Sequence, residues 1–383
     1  MRIAYDYQAF CLQQNGGISR YFFHLIEQLT QMNQNVKAFA PVYRNQYARR
    51  LPTSTVRGLY VKDYPPRCAD AAVSLNGILG RRQLRRWQPA LTHETYFSNI
   101  RSGLGQQPSV LTVFDMISEL GLDGVKPTTG QLRQSRKFAA VARADHVICI
   151  SEHTRQDLIR LYQVAPEKTS VIHLGCEVTP QLGSLTKNTG RPYLLYVGLR
   201  QGYKNFTRFV QAVASSAPLQ STLDIVAFGG GNFSAAEQAL LQSLHFTPQQ
   251  VRHISGDDAL LANYYGGASA LVYPSSYEGF GLPPLEAMAY QCPVISSSSS
   301  AMPEVIGDAA EFFEPTDLHS IASAIQNVVL SPLRTKELIS KGRERFARFT
   351  WQACAQKHLV LYQSLTDSSL SDLAPSYPTM SSR

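Results

Sequence analysis

No stretch of the 383 residues approaches the roughly 18–20 consecutive apolar residues that cross a bilayer, which argues against a spanning helix. The six cysteines (Cys11, Cys68, Cys149, Cys176, Cys292 and Cys354) are scattered, with no C-x-x-C pair and no metal-ligand spacing. That excludes a disulfide scaffold or a zinc module and predicts reduced, mostly buried thiols. The opening MRIAYDY carries no export leader and runs directly into a strand-like segment, so a cytoplasmic location is expected. Also missing is G-x-G-x-x-G after the first strand with an acid about 20 residues on, the pattern of a dinucleotide-dependent oxidoreductase or epimerase. FGGGN and NGGIS do not have that spacing.

What is present is a chain long enough for two domains, with 44% hydrophobic residues. Its net charge of +8 is unevenly shared. Residues 1–177 hold 22 basic and 13 acidic side chains, or +9, and residues 178–383 hold 14 and 15, or −1. An anionic partner is therefore expected for the first half only. Much of the excess lies in RRQLRRWQP (81–89), where arginines beside Leu84 and Trp87 suit either a solvated helix face or an anionic membrane surface. No nucleic-acid-binding module accompanies this charge, so nucleic acid is not an expected partner.

Strand and helix patterns alternate along both halves. Residues 2–10 read as a strand, followed by a Gly16–Gly17 turn and an amphipathic helix carrying Ile18, Tyr21, Phe22, Leu25, Ile26 and Leu29. PALTHETYFS and PSVLTVFDMIS are further strand-plus-loop units, and SEHTRQDLIRLY is a capped helix. The turn-rich 178–190 segment reads as a linker between a domain over 1–177 and one over 191–349. A helix over 350–366 is expected to return to the first domain, and 367–383 has the composition of a disordered tail. Two runs of βα units predict an α/β protein of two Rossmann-like, doubly wound domains facing a central cleft.

The most informative segment is LVYPSSYEGFGLPPLEAMAYQCPVI (271–295), which reads as strand, glycine turn, helix and strand. Gly279 and Gly281 permit a tight turn, and Pro284 suits the first helical position. Free N–H groups of Gly281 and Leu282 at the helix start attract an anion such as phosphate. Glu286, one turn inside the helix, and Glu278, before the loop, are then placed to accept from hydroxyls on either side. Hydroxyls, phosphate and hydroxyls are the layout of a sugar nucleotide. A helix-favouring Glu286 and a solvated Glu278 are the plain alternative.

YEGFGLPPLEAMA, with its E-x7-E spacing, resembles the donor-binding signature of the family 4 retaining glycosyltransferases of GT-B fold. GGISRYF, SEHTRQDL, VGLRQGYKNF, GDDALLANYYGGASALVYPS, PVISSSSSAMPEVIGDAAEFFEP and FTWQACAQKHLVLY follow in that family's order, so the resemblance covers about residues 2–366. It implies that Glu278 holds hydroxyls of the transferred sugar, that Phe280, Gly281 and Leu282 meet sugar and diphosphate, and that Glu286 meets the ribose. Arg200 and Lys204, after Gly198, resemble the basic pair on the diphosphate, Gly17 a backbone donor closing over it, and His93 a histidine near the sugar. Asp115 matches a position often preceded by histidine, here Phe114, which leaves a catalytic role for that pair in doubt. A retaining hexosyl transfer is implied, with GDP-mannose the leading donor and UDP-sugars of glucose, galactose or N-acetylhexosamine as alternatives. The implied acceptor is a glycan or lipid-linked saccharide of surface polysaccharide assembly, met at the inner face of the membrane. A non-catalytic sugar-nucleotide or glycan-binding subunit is the remaining alternative. No cofactor or metal is expected, and Asp257–Asp258 should cap a helix.

Overall fold

The structure, a computed structural model, describes residues 1–65, 68–103, 107–178 and 190–367. All but the first residue of the expected 367–383 tail and most of the expected linker lie outside these residues. The chain forms two compact units. One comprises Met1–Thr112, Gln134–Ile148 and the chain from Gln352 on, and the other Val113–Arg133 and Cys149–Trp351.

The first sheet contains β1 (Arg2–Tyr5), β2 (Asn35–Tyr43), β3 (Val56–Tyr60), β4 (Leu91–Glu94), β5 (Ser109–Val113), β6 (His146–Cys149) and β7 (Thr169–Val171), in the order 3-2-1-4-5-6-7. The second contains β8 (Tyr193–Val197), β9 (Asp224–Phe228), β10 (Val251–Ile254), β11 (Ala270–Tyr273), β12 (Val294–Ser297) and β13 (Ala310–Phe313), in the order 10-9-8-11-12-13. All five pairings of the second sheet are parallel, as are those joining β1 to β5. Both are doubly wound orders. The direction of winding reverses between β1 and β4 and again between β8 and β11, and ligands bind at the carboxyl ends of strands at such points.

Burial explains why these strands read as apolar runs: Leu194, Leu195, Ile225, Val226, Leu271, Val272, Val294 and Ile295 are fully buried. The Phe206–Ala214 helix lays Phe209, Val210 and Val213 over the second sheet, against Ile321 and Ile325 of the Leu318–Val329 helix. In the first unit β1 is shorter than the expected strand and is followed by a helix at Gln8–Leu12. The break is at Asp6, whose carboxylate accepts from Gln8 N and from the Gln8 amide side chain and so closes a turn.

The Trp351–Thr366 helix joins the first unit, from Gln352 on, through a buried polar network. His358 Nδ1 donates to the Cys354 carbonyl at 2.8 Å, so Nε2 accepts from the Tyr21 hydroxyl at 2.7 Å. Tyr362 shares hydrogen bonds with Tyr5 at 3.2 Å and with His93 Nδ1 at 2.6 Å. Burial pushes His358 down to about 4 and holds both histidines neutral.

Candidate functional site

The site in the second unit is built at its winding reversal. One wall is the loop after β8, residues 198–205, and the other is the loop after β11, residues 274–281. The Tyr196 hydroxyl ties down the first loop by donating to the Leu199 carbonyl, and Asn205 Nδ2 donates to the carbonyls of Pro274 and Pro315 at 3.0 and 2.8 Å. Ser276 N donates to the Tyr203 carbonyl at 2.8 Å, which stitches the two loops edge to edge.

These contacts bring Lys204 and Glu278 together, with Lys204 Nζ 2.7 Å from Glu278 Oε1. The side chains are 19% and 10% exposed, so the pair is mostly buried yet open on one side. Glu278 N donates to Ser300 Oγ at 2.8 Å. Tyr273, buried beneath, hydrogen-bonds the Glu278 carboxylate, and burial together with that neighbouring charge keeps its phenol well above its ordinary value. Tyr203 is pushed up to about 12, by burial first and then by Glu278, Asp115 and Asp123. Its hydroxyl therefore stays protonated.

The helix after the second loop runs over Leu282–Ala289. It begins at Leu282, so Pro283 and Pro284 occupy its second and third positions rather than Pro284 the first. Of the four N–H groups that a helix start leaves unpaired, the prolines remove two, and those of Gly281 and Leu282 remain. Gly281 has φ 99°, a left-handed conformation that a side chain disfavours, and a Cβ there would lie 2.5 Å from Met302 Cε. Gly279 is confined differently: a Cβ would lie 2.0 Å from the Phe114 carbonyl oxygen and 3.1 Å from Asp115 Cβ. Asp115 thus stands beside the loop, its Oδ1 accepting from Ile117 N at 3.1 Å. Glu286 is half-buried and accepts from the Tyr265 hydroxyl at 3.0 Å.

Residues to which the sequence assigns no individual role, several of them in the SEHTRQDL and PVISSSSSAMPEVIG segments, surround this loop. Ser151 Oγ donates to the Gly279 carbonyl at 2.7 Å and Tyr277 to Asp157 Oδ2 at 2.8 Å. The Glu304 carboxylate accepts from Glu152 N at 2.9 Å and from His173 Nε2 at 2.7 Å. Burial opposes its ionisation, but these donors outweigh burial and lower its pKa. Phe280 is buried against His173 and Phe349. Only its backbone, not its ring, is available for a ligand. Ser151 and Asp157 lie 128 and 120 positions from the loop residues they bond, beyond the reach of local spacing.

Two of the expected site residues are bonded within the protein. Arg200 is 6% exposed, and all three of its guanidinium nitrogens donate within the protein. Nε donates to Glu237 Oε1 at 2.7 Å, Nη1 to the Gly229 carbonyl at 3.0 Å and Nη2 to the Asn232 carbonyl at 2.9 Å. Its charge faces Glu237, and its N–H groups hold the glycine-rich 229–232 turn beside Gly198. His93, in the first unit, has no exposed surface, and both ring nitrogens are bonded, Nδ1 to Tyr362 and Nε2 to Thr112 Oγ1 at 2.9 Å. It is a core residue and has no nitrogen left for a sugar. Gly17 opens the Gly17–Gln31 helix of the first unit. Gly198 follows β8, its N–H donating to the Phe228 carbonyl at 2.9 Å. Asp257 caps its helix through Leu260 N, as expected. Among the described residues no group of three or more His, Cys, Asp or Glu is placed to hold a metal ion, and no helix is long and apolar enough to cross a membrane.

Residues 179–345 match the Glycosyl transferases group 1 family, and residues 15–179 match Glycosyltransferase Family 4. The O-antigen chain mannosyltransferase B of Escherichia coli is 26% identical over 232 residues, covering 57% of this chain and 60% of that protein. The O-antigen chain mannosyltransferase RfbU of Salmonella typhimurium is 29% identical over 219 residues, covering 57% and 59%. The chain thus spans about six-tenths of the length of these curated relatives. Among solved structures, sucrose-phosphate synthase from Thermosynechococcus elongatus superposes with a TM-score of 0.72 at 22% identity, over 95% of this chain and 98% of that one. WaaG, a glycosyltransferase involved in lipopolysaccharide biosynthesis, gives 0.66 at 17%, over 94% and 99%.

Proposed function

The chain belongs to glycosyltransferase family 4, and from that premise we propose that it transfers a hexose from a nucleotide-diphosphate sugar to a saccharide acceptor of surface polysaccharide assembly, with the anomeric configuration retained. The observation that carries this reading is the Lys204–Glu278 pair at 2.7 Å, at the winding reversal of the second sheet, beside a helix start with two open N–H groups.

In this mechanism Lys204 and the N–H groups of Gly281 and Leu282 face the diphosphate. Negative charge on the leaving diphosphate grows as the glycosidic bond breaks, so a fixed cation and fixed dipoles stabilise the transition state more than the ground state. Glu278 orients the hexose hydroxyls and also fixes the Lys204 ammonium. Glu286, held by Tyr265, accepts from the ribose hydroxyls. The acceptor hydroxyl enters on the face that the diphosphate leaves and passes its proton to a departing phosphate oxygen, so no side-chain nucleophile is required. Relatives named as O-antigen mannosyltransferases favour GDP-mannose as the donor. A cytoplasmic location at the membrane surface, with the basic Ala69–Trp87 helix towards anionic lipid, belongs to the same reading.

A thermal-shift screen against GDP-mannose, UDP-glucose, UDP-N-acetylglucosamine and their diphosphates tests the donor. GDP-mannose and GDP are expected to raise the midpoint most. A larger shift with a UDP-sugar would replace the donor, and no shift with any of them would reject the site.

A further inference from the structure

A recess in the first unit lies away from its winding reversal, over the edge strand β3 and its neighbour β2. It opens near the amino ends of these strands, where the end of the Ala69–Trp87 helix packs beside them. Lys37 and Phe39 of β2, Arg57 of β3, and Gln83, Arg86 and Trp87 of the helix line about 250 Å³. That volume falls below the roughly 300–1,000 Å³ of sites for drug-sized ligands, so it suits a group of a few heavy atoms.

Every charge in the lining is positive. Among the described residues none of Lys37, Arg57 and Arg86 pairs with a carboxylate. Lys37 Nζ lies 5.3 Å from the centre of the Trp87 ring, and that ring packs on Phe39 at 5.4 Å, so the ammonium is held over an aromatic floor. Burial, then the Arg57 charge, pulls the Lys37 pKa below its ordinary value, as expected where a cation faces another cation and no anion. Gln83 gives an independent sign. Its Oε1 is buried and has no hydrogen-bond partner among the described residues. A buried amide oxygen without a donor is costly, and a ligand that brings a donor removes the cost. The recess is not built to rest on hydrocarbon: Phe39 is buried and Trp87 half-buried beneath Lys37, and no large exposed aliphatic side chain lines it.

We propose that this recess binds a small, partly protonated phosphate compound with two or more negative charges, its anionic oxygens meeting Lys37, Arg57 and Arg86 and a P–O–H group donating to Gln83 Oε1. The site shares no residue with the one proposed for the sugar donor, and the inference does not depend on the transferase reading.

Inorganic diphosphate, which keeps a proton near neutral pH, is the probe, and calorimetric titration of the full chain is the test. The titration is run with saturating GDP-mannose, whose doubly esterified diphosphate has no P–O–H group and so leaves the recess free. Diphosphate is expected to bind. Arg57→Ala and Arg86→Ala should each weaken it about fivefold or more and Gln83→Leu about threefold or more, as for loss of a charge-assisted contact and of a hydrogen bond. Arg82→Ala, an exposed cation of the same helix outside the recess, should change it less than twofold. Sulfate, which has the charge but no proton to donate, should bind at least about fivefold more weakly. Phosphatidylglycerol vesicles, whose phosphodiesters also lack that proton, should not displace the probe. No binding, indifference to the three recess substitutions, an equal loss in Arg82→Ala, equal binding of sulfate, or displacement by the vesicles would overturn the assignment. Loss in Arg82→Ala would mark diffuse attraction to a basic surface, and displacement by vesicles a lipid contact.

Discussion

Lys204→Ala separates what the site does for folding from what it does for chemistry. Lys204 and Glu278 are 2.7 Å apart with only 19% and 10% of their side chains exposed, so the ammonium compensates a largely dehydrated carboxylate. Breaking a buried pair on one side costs about 3–5 kcal/mol, and the residual exposure of both groups puts this pair near 3. Most of that cost is the stranded carboxylate rather than the lost attraction. Adding Glu278→Gln to Lys204→Ala should therefore recover much of the stability, a sign reversal that a surface pair would not show. Catalysis should not recover. Each single variant is expected to lose at least about 100-fold in turnover, near 2.7 kcal/mol, as for removal of one fixed group facing a developing anion. Urea denaturation and steady-state transfer, measured on the native chain, both singles and the double, read the two quantities. A double variant no more stable than Lys204→Ala, or a single variant within threefold of native turnover, would refute this reasoning.

Two further predictions concern Arg200 and the buried histidines. Arg200→Ala should lower the urea midpoint, because Glu237 and two carbonyls lose their donor, and pairing it with Glu237→Ala should cost little more; calorimetry should show nucleoside diphosphate affinity changed less than threefold. The buried histidines make the first unit sensitive to acid. His358 is held at about 4 against 6.5 when unfolded, so only the unfolded chain takes up a proton between those values. Its stabilisation is complete above about pH 6.5 and falls by about 3 kcal/mol as pH drops to 4, with His93 adding to the loss. Hydrogen exchange of Tyr21 and Tyr362 amides at pH 7 and pH 4.5 checks this, and equal protection at both values contradicts it.

The backbone of this protein was readable because parallel strands buried on both faces become short apolar runs, and the glycine–proline punctuation around 279–284 marks where one ends. Glu278 and Lys204 each follow a strand at the winding reversal, but their 2.7 Å pair carries no local signal in the sequence. Arg200 shows the limit. Its position after a strand is indistinguishable from that of a ligand-facing cation, and only the path of the 229–232 turn reveals that Glu237 and two carbonyls claim it. His93 fails alike, since Tyr362 and Thr112 reach it from 269 and 19 residues away. Ser151 and Glu304 lie in segments that the family resemblance picks out, but nothing local assigns Ser151 to the Gly279 carbonyl or joins Glu304 to His173. The first strand ended early because one side chain, Asp6, turned the backbone, a choice that its apolar neighbours Ala9 and Phe10 conceal.

The most direct test of the central claim is a crystal structure of the chain grown with GDP. The account predicts the diphosphate within hydrogen-bond distance of Lys204 Nζ and the Gly281 and Leu282 N–H groups, with the ribose on Glu286. A diphosphate bound elsewhere, with Lys204 still closed on Glu278, would contradict it.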